Sequence, residues 1–401
     1  MSELYSLPDG WEWKKLDDFV SIKGGKRIPK RKKLLETKTN YPYIRVTDFN
    51  DFGSIDLNNI QYITEDIYNE IKNYIISKDD IYISIAGTIG KTGIIPNELD
   101  GANLTENAAK FVFDNSKYDK FFLLYFTNSI PFLEQIGLAT KTVAMPKLAL
   151  TRLKEVEIPL PPFEEQKRIV AKLDILFEKI DKAIALHQKN IDEADIFMAS
   201  VLNDVFEELE DKYGLYELNK VCEFSQGIQV ATNQQYESYE DGLNKFIRII
   251  NYTQLSNEYR YVKAYSERAF VNENDIVMVR YGATAGFIGR GQKGLIANNL
   301  FRVIPNKDYI NDFIYFGIKN PKNQSIMFNN IGAAAMPAIN FGTMSLLTIP
   351  NISISIQQKV VAYLDEISNK MEKIKNLQKK KMQSLKELKA SILDKAFKGE
   401  L

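Results

Sequence analysis

A helical period of apolar residues dominates this chain. An apolar stripe passes through Ile169, Leu173, Leu176, Ile180, Ala183 and His187, and resumes at Ile191, Ala194, Met198, Val201 and Val205. Steps of three and four alternate, which is a heptad seam with one four-four stutter at His187. Ahead of it stands Ile158-Pro159-Leu160-Pro161-Pro162-Phe163-Glu164-Glu165-Gln166. The prolines exclude a helix interior and read as a lead-in, while the two glutamates suit the positive end of a helix. Residues 158–210 therefore predict one long helix. Its narrow stripe requires a partner helix.

A second long helix is predicted over 349–398, with Val360, Leu364, Ile367, Met371, Ile374, Leu385, Leu388 and Ile392 on its stripe. Gln378 and Lys381 interrupt that stripe, with Leu377 and Met382 beside them. The first helix is acidic in its second half (Asp192, Glu193, Asp195, Asp204, Glu207, Glu208), and the second carries Lys379-Lys380-Lys381. Opposite charge favours pairing the two without fixing their direction.

The chain is written twice. Ala144-Met145-Pro146 returns as Ala335-Met336-Pro337, Ile158-Pro159 as Ile349-Pro350, Gln166 as Gln357, and Leu173-Asp174 as Leu364-Asp365, all at an offset of 191. Looser echoes lie upstream: Tyr43-Ile44-Arg45-Val46 matches Phe246-Ile247-Arg248-Ile249, and Gly87 matches Gly282. Tyr82-Ile83-Ser84-Ile85 and Val277-Met278-Val279-Arg280 read as buried strands running into Gly-rich turns. Segments 121–127 and 313–318 read as short helices, and 207–214 as a linker. The expected fold is α+β: two homologous globules, 1–157 and 211–348, joined by long helices 158–210 and 349–401. Equal modules with equal seams imply a pseudo-two-fold arrangement with the helices paired as an antiparallel coiled coil, one globule at each end. A helix of about 40 residues spans roughly 60 Å, a little under two turns of B-DNA.

Composition narrows the function. No apolar run reaches the ~18 residues of a membrane span, and the N-terminus lacks a basic stretch followed by an apolar core, so a cytoplasmic protein is expected. The 52 basic and 52 acidic residues cancel, which argues against indiscriminate binding of nucleic acid over the whole surface. The single cysteine, Cys222, excludes an internal disulfide and a Cys-rich zinc site and reads as a small buried apolar residue. The lone histidine, His187, lies on the rod, so a histidine-based triad is not expected. Gly87-Thr88-Ile89-Gly90-Lys91-Thr92 imitates a phosphate loop, but Ile85 occupies the place of its first glycine. Pro161-Pro162-Phe163 imitates the Pro-Pro-aromatic loop of adenine methyltransferases, but Leu160 stands where that loop needs Asn or Asp. No catalytic constellation emerges.

The lead-in at 158–166, the Gly-Trp-Glu-Trp-Lys-Lys-Leu opening at 10–16 leading to Lys23-Gly24-Gly25, and the duplication resemble type I restriction-modification specificity subunits. The resemblance implies two target-recognition domains, each reading half of a bipartite DNA site, and paired helices that act as spacer and docking surface. It implies double-stranded DNA, two methyltransferase subunits and restriction/translocase subunits as partners. It implies no cofactor in this chain, with S-adenosylmethionine, ATP and Mg serving the partner subunits. Glu164, Glu165, Gln166 and Gln357, at the two helix starts, are the candidate partner contacts. The second lead-in, Ile349-Pro350-Asn351-Ile352-Ser353, lacks the later prolines and both glutamates.

Candidate DNA contacts follow. Lys23, Lys26, Arg27, Lys30, Arg31, Lys32 and Lys33 lie in a Gly- and Pro-containing loop, the composition of a phosphate grip and equally of a solvated charge run. The equivalent stretch carries Gln226, Gln229 and Asn233, and amides read adenine where arginine reads guanine. Arg45 and Arg248 are candidates for ion pairing or for DNA. Thr88 and Lys91 flank the first Gly-rich turn, and Arg280, Tyr281, Thr284 and Arg290 flank the second. The alternative is a two-headed coiled-coil interaction protein without sequence-specific DNA binding, for which zero net charge speaks.

Overall fold

The strand Ile81–Ser84 is buried along its whole length, and so is its counterpart Ile276–Val279. Each sits inside a four-stranded sheet whose two faces are both covered, so its alternating side chains enter different cores. Ile81 and Ile83 join the core beneath the helices, while Tyr82 joins the core shared with a second sheet. Ile276 and Met278 divide from Val277 and Val279 in the same way. The computed structural model describes residues 5–50, 53–139, 147–330 and 338–401. The repeated Ala-Met-Pro segments at 144–146 and 335–337 lie outside these residues.

By contacts the chain divides into Met1–Leu186 with Lys380–Leu401, and His187–Lys379. In the first unit one sheet runs Ser21–Gly24, Ala108–Val112, Ile81–Ser84, Thr92–Ile94, all antiparallel. The other runs Gln61–Tyr62, Pro42–Ile44, Ala102–Leu104, Ile75–Ile76, and in it Pro42–Ile44 pairs parallel with Ala102–Leu104. The second unit repeats both orders. Its sheets run Cys222–Gln226, Leu300–Pro305, Ile276–Val279, Ile288–Gly289, and Arg260–Val262, Asn244–Ile247, Gly294–Ile296, Phe270–Val271. Asn244–Ile247 again pairs parallel with Gly294–Ile296. The duplication seen in the helix lead-ins thus extends through every strand of the globules.

The predicted short helices are Lys120–Thr127 and Asn311–Lys319. The proline lead-in is more than a ramp. Glu157–Leu160 is a strand, paired antiparallel with Glu12–Lys15 so that Trp13 faces Pro159. The two family-like motifs at opposite ends of the first globule are therefore one ladder. A two-stranded sheet leaves Pro159 an edge on which its missing N–H costs nothing. Leu215–Glu217 with Thr348–Pro350 is the same device in the second unit.

The first long helix is Phe163–Tyr213 and the second is Ile354–Phe397. The expected linker at 207–214 is helical through Tyr213 and stops at Gly214, whose φ of 70° favours glycine. Phe206 and Leu209 are buried against the second globule, and this packing holds the acidic turn helical. The helices pair antiparallel within each unit. In the first, Arg168 donates to the Leu401 carbonyl (2.8 Å) and Asp181 pairs with Lys389 (2.9 Å). In the second, His187 meets Gln378 and Asp195 pairs with Lys375 (2.9 Å). The lysine run at 379–381 plays no part in this pairing. These lysines are exposed and, among the described residues, form no ion pair within 4 Å. Ile374 and Leu388, expected on the seam, are 40% and 48% exposed, because Lys375 and Lys389 turn inward beside them. The last turn of the second helix buries Phe397 completely between Phe122 and Phe126 of the first globule, ring centroids 5.2 Å from each. Burial of a side chain this size contributes about 1.5–3 kcal/mol.

Candidate nucleic-acid interface

In both units the loop after the first sheet strand is pinned to the turn before the neighbouring strand. The Gly25 N–H donates to the Ala108 carbonyl (3.0 Å) and the Lys26 N–H to the Leu104 carbonyl (2.8 Å). In the second unit Gly227 donates to Leu300 (3.0 Å) and Ile228 to Ile296 (3.0 Å). The glycines are obligatory. A Cβ on Gly25 would lie 2.2 Å from the Thr105 carbonyl oxygen, and one on Gly227 2.2 Å from that of Ala297. These contacts fix the structural equivalences: Lys26 with Ile228, Arg27 with Gln229, Thr105 with Ala297, Glu106 with Asn298.

What the equivalent positions carry differs. Arg27 donates from Nε to Glu106 Oε1, and Glu106 Oε2 accepts from the Thr105 hydroxyl (2.9 Å). Burial opposes ionisation of Glu106, yet the Arg27 guanidinium holds its carboxyl below the usual range. In the second unit Asn298 Nδ2 donates to Gln229 Oε1 (3.4 Å), and Gln226 Nε2 donates to the Asn298 carbonyl (3.1 Å). Glu106 and Asn298 were not among the sequence candidates. Their signal was the pair Glu106-Asn107 matching Asn298-Asn299 immediately before a strand, legible only once the strands are aligned.

The basic loop is not uniform. Lys32 pairs with Asp66 (2.5 Å) and holds that carboxyl down at about 2. The ammonium of Lys26 lies 5.5 Å from the Tyr74 ring centroid. Lys23, Lys30, Arg31 and Lys33 are exposed and, among the described residues, have no ion-pair partner within 4 Å. Arg31 adopts φ 71°. Asn233 is exposed on the turn Thr232–Gln234 of the second unit.

Several other candidates are tied into the fold. Arg45 forks onto buried Asp48, with Nε to Oδ2 at 3.1 Å and Nη2 to Oδ1 at 2.6 Å, and also donates to the Asn59 carbonyl (2.9 Å). Arg248 occupies the same place, but its partner is Asn251, whose Oδ1 accepts only the backbone N–H (2.8 Å). Arg248 Nη2 donates to the Glu258 carbonyl (2.8 Å), and its buried Nε has no hydrogen-bond partner among the described residues. Lys91 reaches the Phe49 carbonyl (2.7 Å). Its turn, with φ of 78° at Gly87 and 87° at Gly90, joins two antiparallel strands rather than a strand and a helix, so it is no phosphate loop. Thr88 is exposed at that turn, and its carbonyl accepts from Ser84. Thr284 is exposed on the matching turn. Arg280 stacks on Tyr281 (4.8 Å), with an Nε that is buried and unpartnered among the described residues. Arg290 bonds to Asp312, lies 3.8 Å from Asp365 of the second long helix, and stacks 4.2 Å from Tyr315.

The two glutamines, expected at a partner surface, turn inward instead. Gln166 is 2% exposed; it accepts the Asp119 N–H (2.8 Å) and donates to the Pro161 carbonyl (2.9 Å). Gln357 is fully buried; it accepts the Ile310 N–H (2.9 Å) and donates to Asp308 (2.8 Å) and Ile352 (2.9 Å). Each clamps the start of a long helix to its globule. Glu164 is exposed and pairs with Lys167, and Glu165 pairs with Arg168 (2.7 Å).

Two copies of one α+β frame, with different polar side chains on the same loops, define a duplicated two-module protein. The family model for the type I restriction modification DNA specificity domain matches residues 8–194 and again 210–382. The chain belongs to that family. It is 28% identical over 207 residues to the MjaVIII specificity subunit of Methanocaldococcus jannaschii, a match covering 50% of this chain and 47% of that protein. The chain thus spans about half the length of that relative. It is 21% identical to the EcoKI specificity subunit of Escherichia coli K12, with 98% of this chain and 90% of that one covered. A solved structure described as the basis of complex assembly and conformational transition of the type I restriction-modification system superposes with a TM-score of 0.74. That structure is 20% identical, and the match covers 99% of this chain and 100% of the other. Among the described residues no helix is long and apolar enough to cross a membrane.

Proposed function

We propose that this chain is the DNA sequence-reading subunit of a type I restriction-modification complex and carries out no chemistry itself. Residues 1–157 and 211–348 are its target-recognition domains, each reading half of a bipartite site in double-stranded DNA. The long helices at 158–210 and 349–401 dock two methyltransferase subunits and, through the assembled complex, restriction/translocase subunits. S-adenosylmethionine, ATP and Mg serve those partners. The observation that carries the reading is the retention of one backbone frame under two different sets of exposed side chains. A binding protein needs that arrangement to read two unlike half-sites, and a scaffold does not. Phosphates are gripped by Lys23, Lys30, Arg31 and Lys33, which have no ion-pair partner among the described residues.

Docking is supported by exposed apolar residues on the helices that recur at the repeat offset. Leu186 is 61% exposed and Leu377 51%; Phe197 is 50% exposed and Leu388 48%. Each unit presents one of these residues from each long helix: Leu186 and Leu388 in the first, Phe197 and Leu377 in the second. Two like surfaces suit two copies of one partner. Selection from a randomised duplex pool by the full chain with its methyltransferase subunit tests the function. A consensus split into two unlike blocks is expected, and recovery without any consensus would refute the reading.

A further inference from the structure

The pair of positions fixed by Gly25 and Gly227 changes as a unit between the two copies. Where the first unit has Arg27 with Glu106, the second has Gln229 with Asn298. Both members are substituted, yet each still touches its partner. The partnership is retained while its hydrogen-bonding character passes from charged to amide. Drift at a surface ion pair does not require a second hydrogen-bonded pair in its place. Recognition of a different base does.

We propose that Arg27, positioned by Glu106, and Gln229, positioned by Asn298, are equivalent base-reading residues, the first taking guanine and the second adenine. The proposal rests on the DNA-reading function given above. The Arg27 side chain is 74% exposed while that of Glu106 is 23% exposed, so the carboxylate forms the floor and the guanidinium projects from it. Glu106 engages Arg27 through Nε, and neither Nη group has a hydrogen-bond partner among the described residues. Guanine presents two acceptors, O6 and N7, which such a fork matches. Asn298 occupies one lone pair of Gln229 Oε1. The second lone pair and the Nε2 hydrogens remain, and this acceptor-donor set is what N6 and N7 of adenine require. The neighbouring Lys30 and Lys33 take no part in this discrimination, since phosphate contacts position the domain without reading sequence.

The test is selection of sites from a randomised duplex pool by the full chain with its methyltransferase subunit. The wild type is compared with Arg27→Gln/Glu106→Asn and with Gln229→Arg/Asn298→Glu. Each good bidentate contact discriminates bases by about tenfold to a hundredfold. The first variant should therefore turn one guanine of one half-site into adenine and leave the other half-site unchanged. The second should turn one adenine of the other half-site into guanine. The two exchanges are independent, so one suffices if the other fails to fold by circular dichroism. A wild-type split consensus whose letters survive a folded exchange variant overturns the assignment and leaves the DNA-reading function standing. Absence of any wild-type consensus removes both.

Discussion

His187 Nδ1 and Gln378 Oε1 lie 2.5 Å apart, and the two residues are 191 positions apart in the chain. That separation is the repeat offset, so one position of the duplicated sequence meets its own copy across the helix pair. The seam is polar at this point, since Gln378 turns inward while Leu377 beside it is 51% exposed. A polar pair in a largely apolar seam specifies register at a cost in stability. Replacing both residues by leucine should therefore raise the urea midpoint by an amount equivalent to about 1 kcal/mol. His187→Leu alone should lower it, because Gln378 is then left without its partner. A double variant less stable than the single one would contradict that role for the polar pair.

Gln166 and Gln357 each replace a helix-start cap with hydrogen bonds across to the globule. Gln357→Ala strands the Ile310 N–H and two carbonyls, those of Asp308 and Ile352. An unsatisfied buried group costs about 1–3 kcal/mol, so denaturant unfolding should show a loss at the upper end of that range. Gln166→Ala strands only the Asp119 N–H and the Pro161 carbonyl and should cost less. Equal losses would mean that the additional hydrogen bond of Gln357 contributes nothing.

Cys222 is 6% exposed, and burial pushes its thiol from 9.0 up to about 12. The folded protein holds this proton to about pH 12, whereas the unfolded chain releases it near 9. The stability contributed is fully present below pH 9 and is lost as pH rises through 12. The measurable consequence is reactivity. At about pH 8 the native thiol should react with a chromogenic disulfide far more slowly than the thiol in guanidinium. Rapid native labelling would show that the strand Cys222–Gln226 opens easily.

The helical segments and the repeat were legible in the sequence because both are periodic, and each globule's central strand was legible as a buried apolar run. The ladder joining residues 12–15 to 157–160 was not, since pairing across a whole globule leaves no local mark. The helical turn at 207–213 was misread for a related reason. Its acidic surface suggests a linker, while the burial of Phe206 and Leu209 depends on tertiary packing. The basic loop was visible as composition. Which of its cations were already committed was not, because Glu106 and Asp66 lie far along the chain.

That division of the basic loop makes a salt-dependent prediction. Lys30 and Lys33 have no ion-pair partner among the described residues, whereas Lys32 is held by Asp66. Each phosphate contact contributes about 0.9 to the slope of log affinity against log salt. Lys30→Ala/Lys33→Ala should weaken binding to every duplex alike and reduce that slope by about 2. Lys32→Ala should change it less. A loss confined to one DNA sequence would make these residues base readers instead.

The recurrence of exposed apolar residues on the long helices bears on assembly. Leu186 and Leu377 are equivalent by the repeat, as are Phe197 and Leu388, and all four are close to half exposed or more. Their seam neighbours Ile191 and Ala194 are buried, so the helices remain paired without them. Charged substitutions at these positions should leave folding within about 0.5 kcal/mol of the wild type. If they form the docking surface, Leu186→Asp/Leu388→Asp should reduce the methyltransferase subunits bound from two to one, read by native mass spectrometry or by sedimentation. Phe197→Asp/Leu377→Asp should do the same, and the quadruple variant should bind none. Charge introduced into an apolar contact typically costs several kcal/mol, enough to abolish a micromolar complex. Retention of both subunits by the folded quadruple variant would place the docking surface elsewhere on the chain.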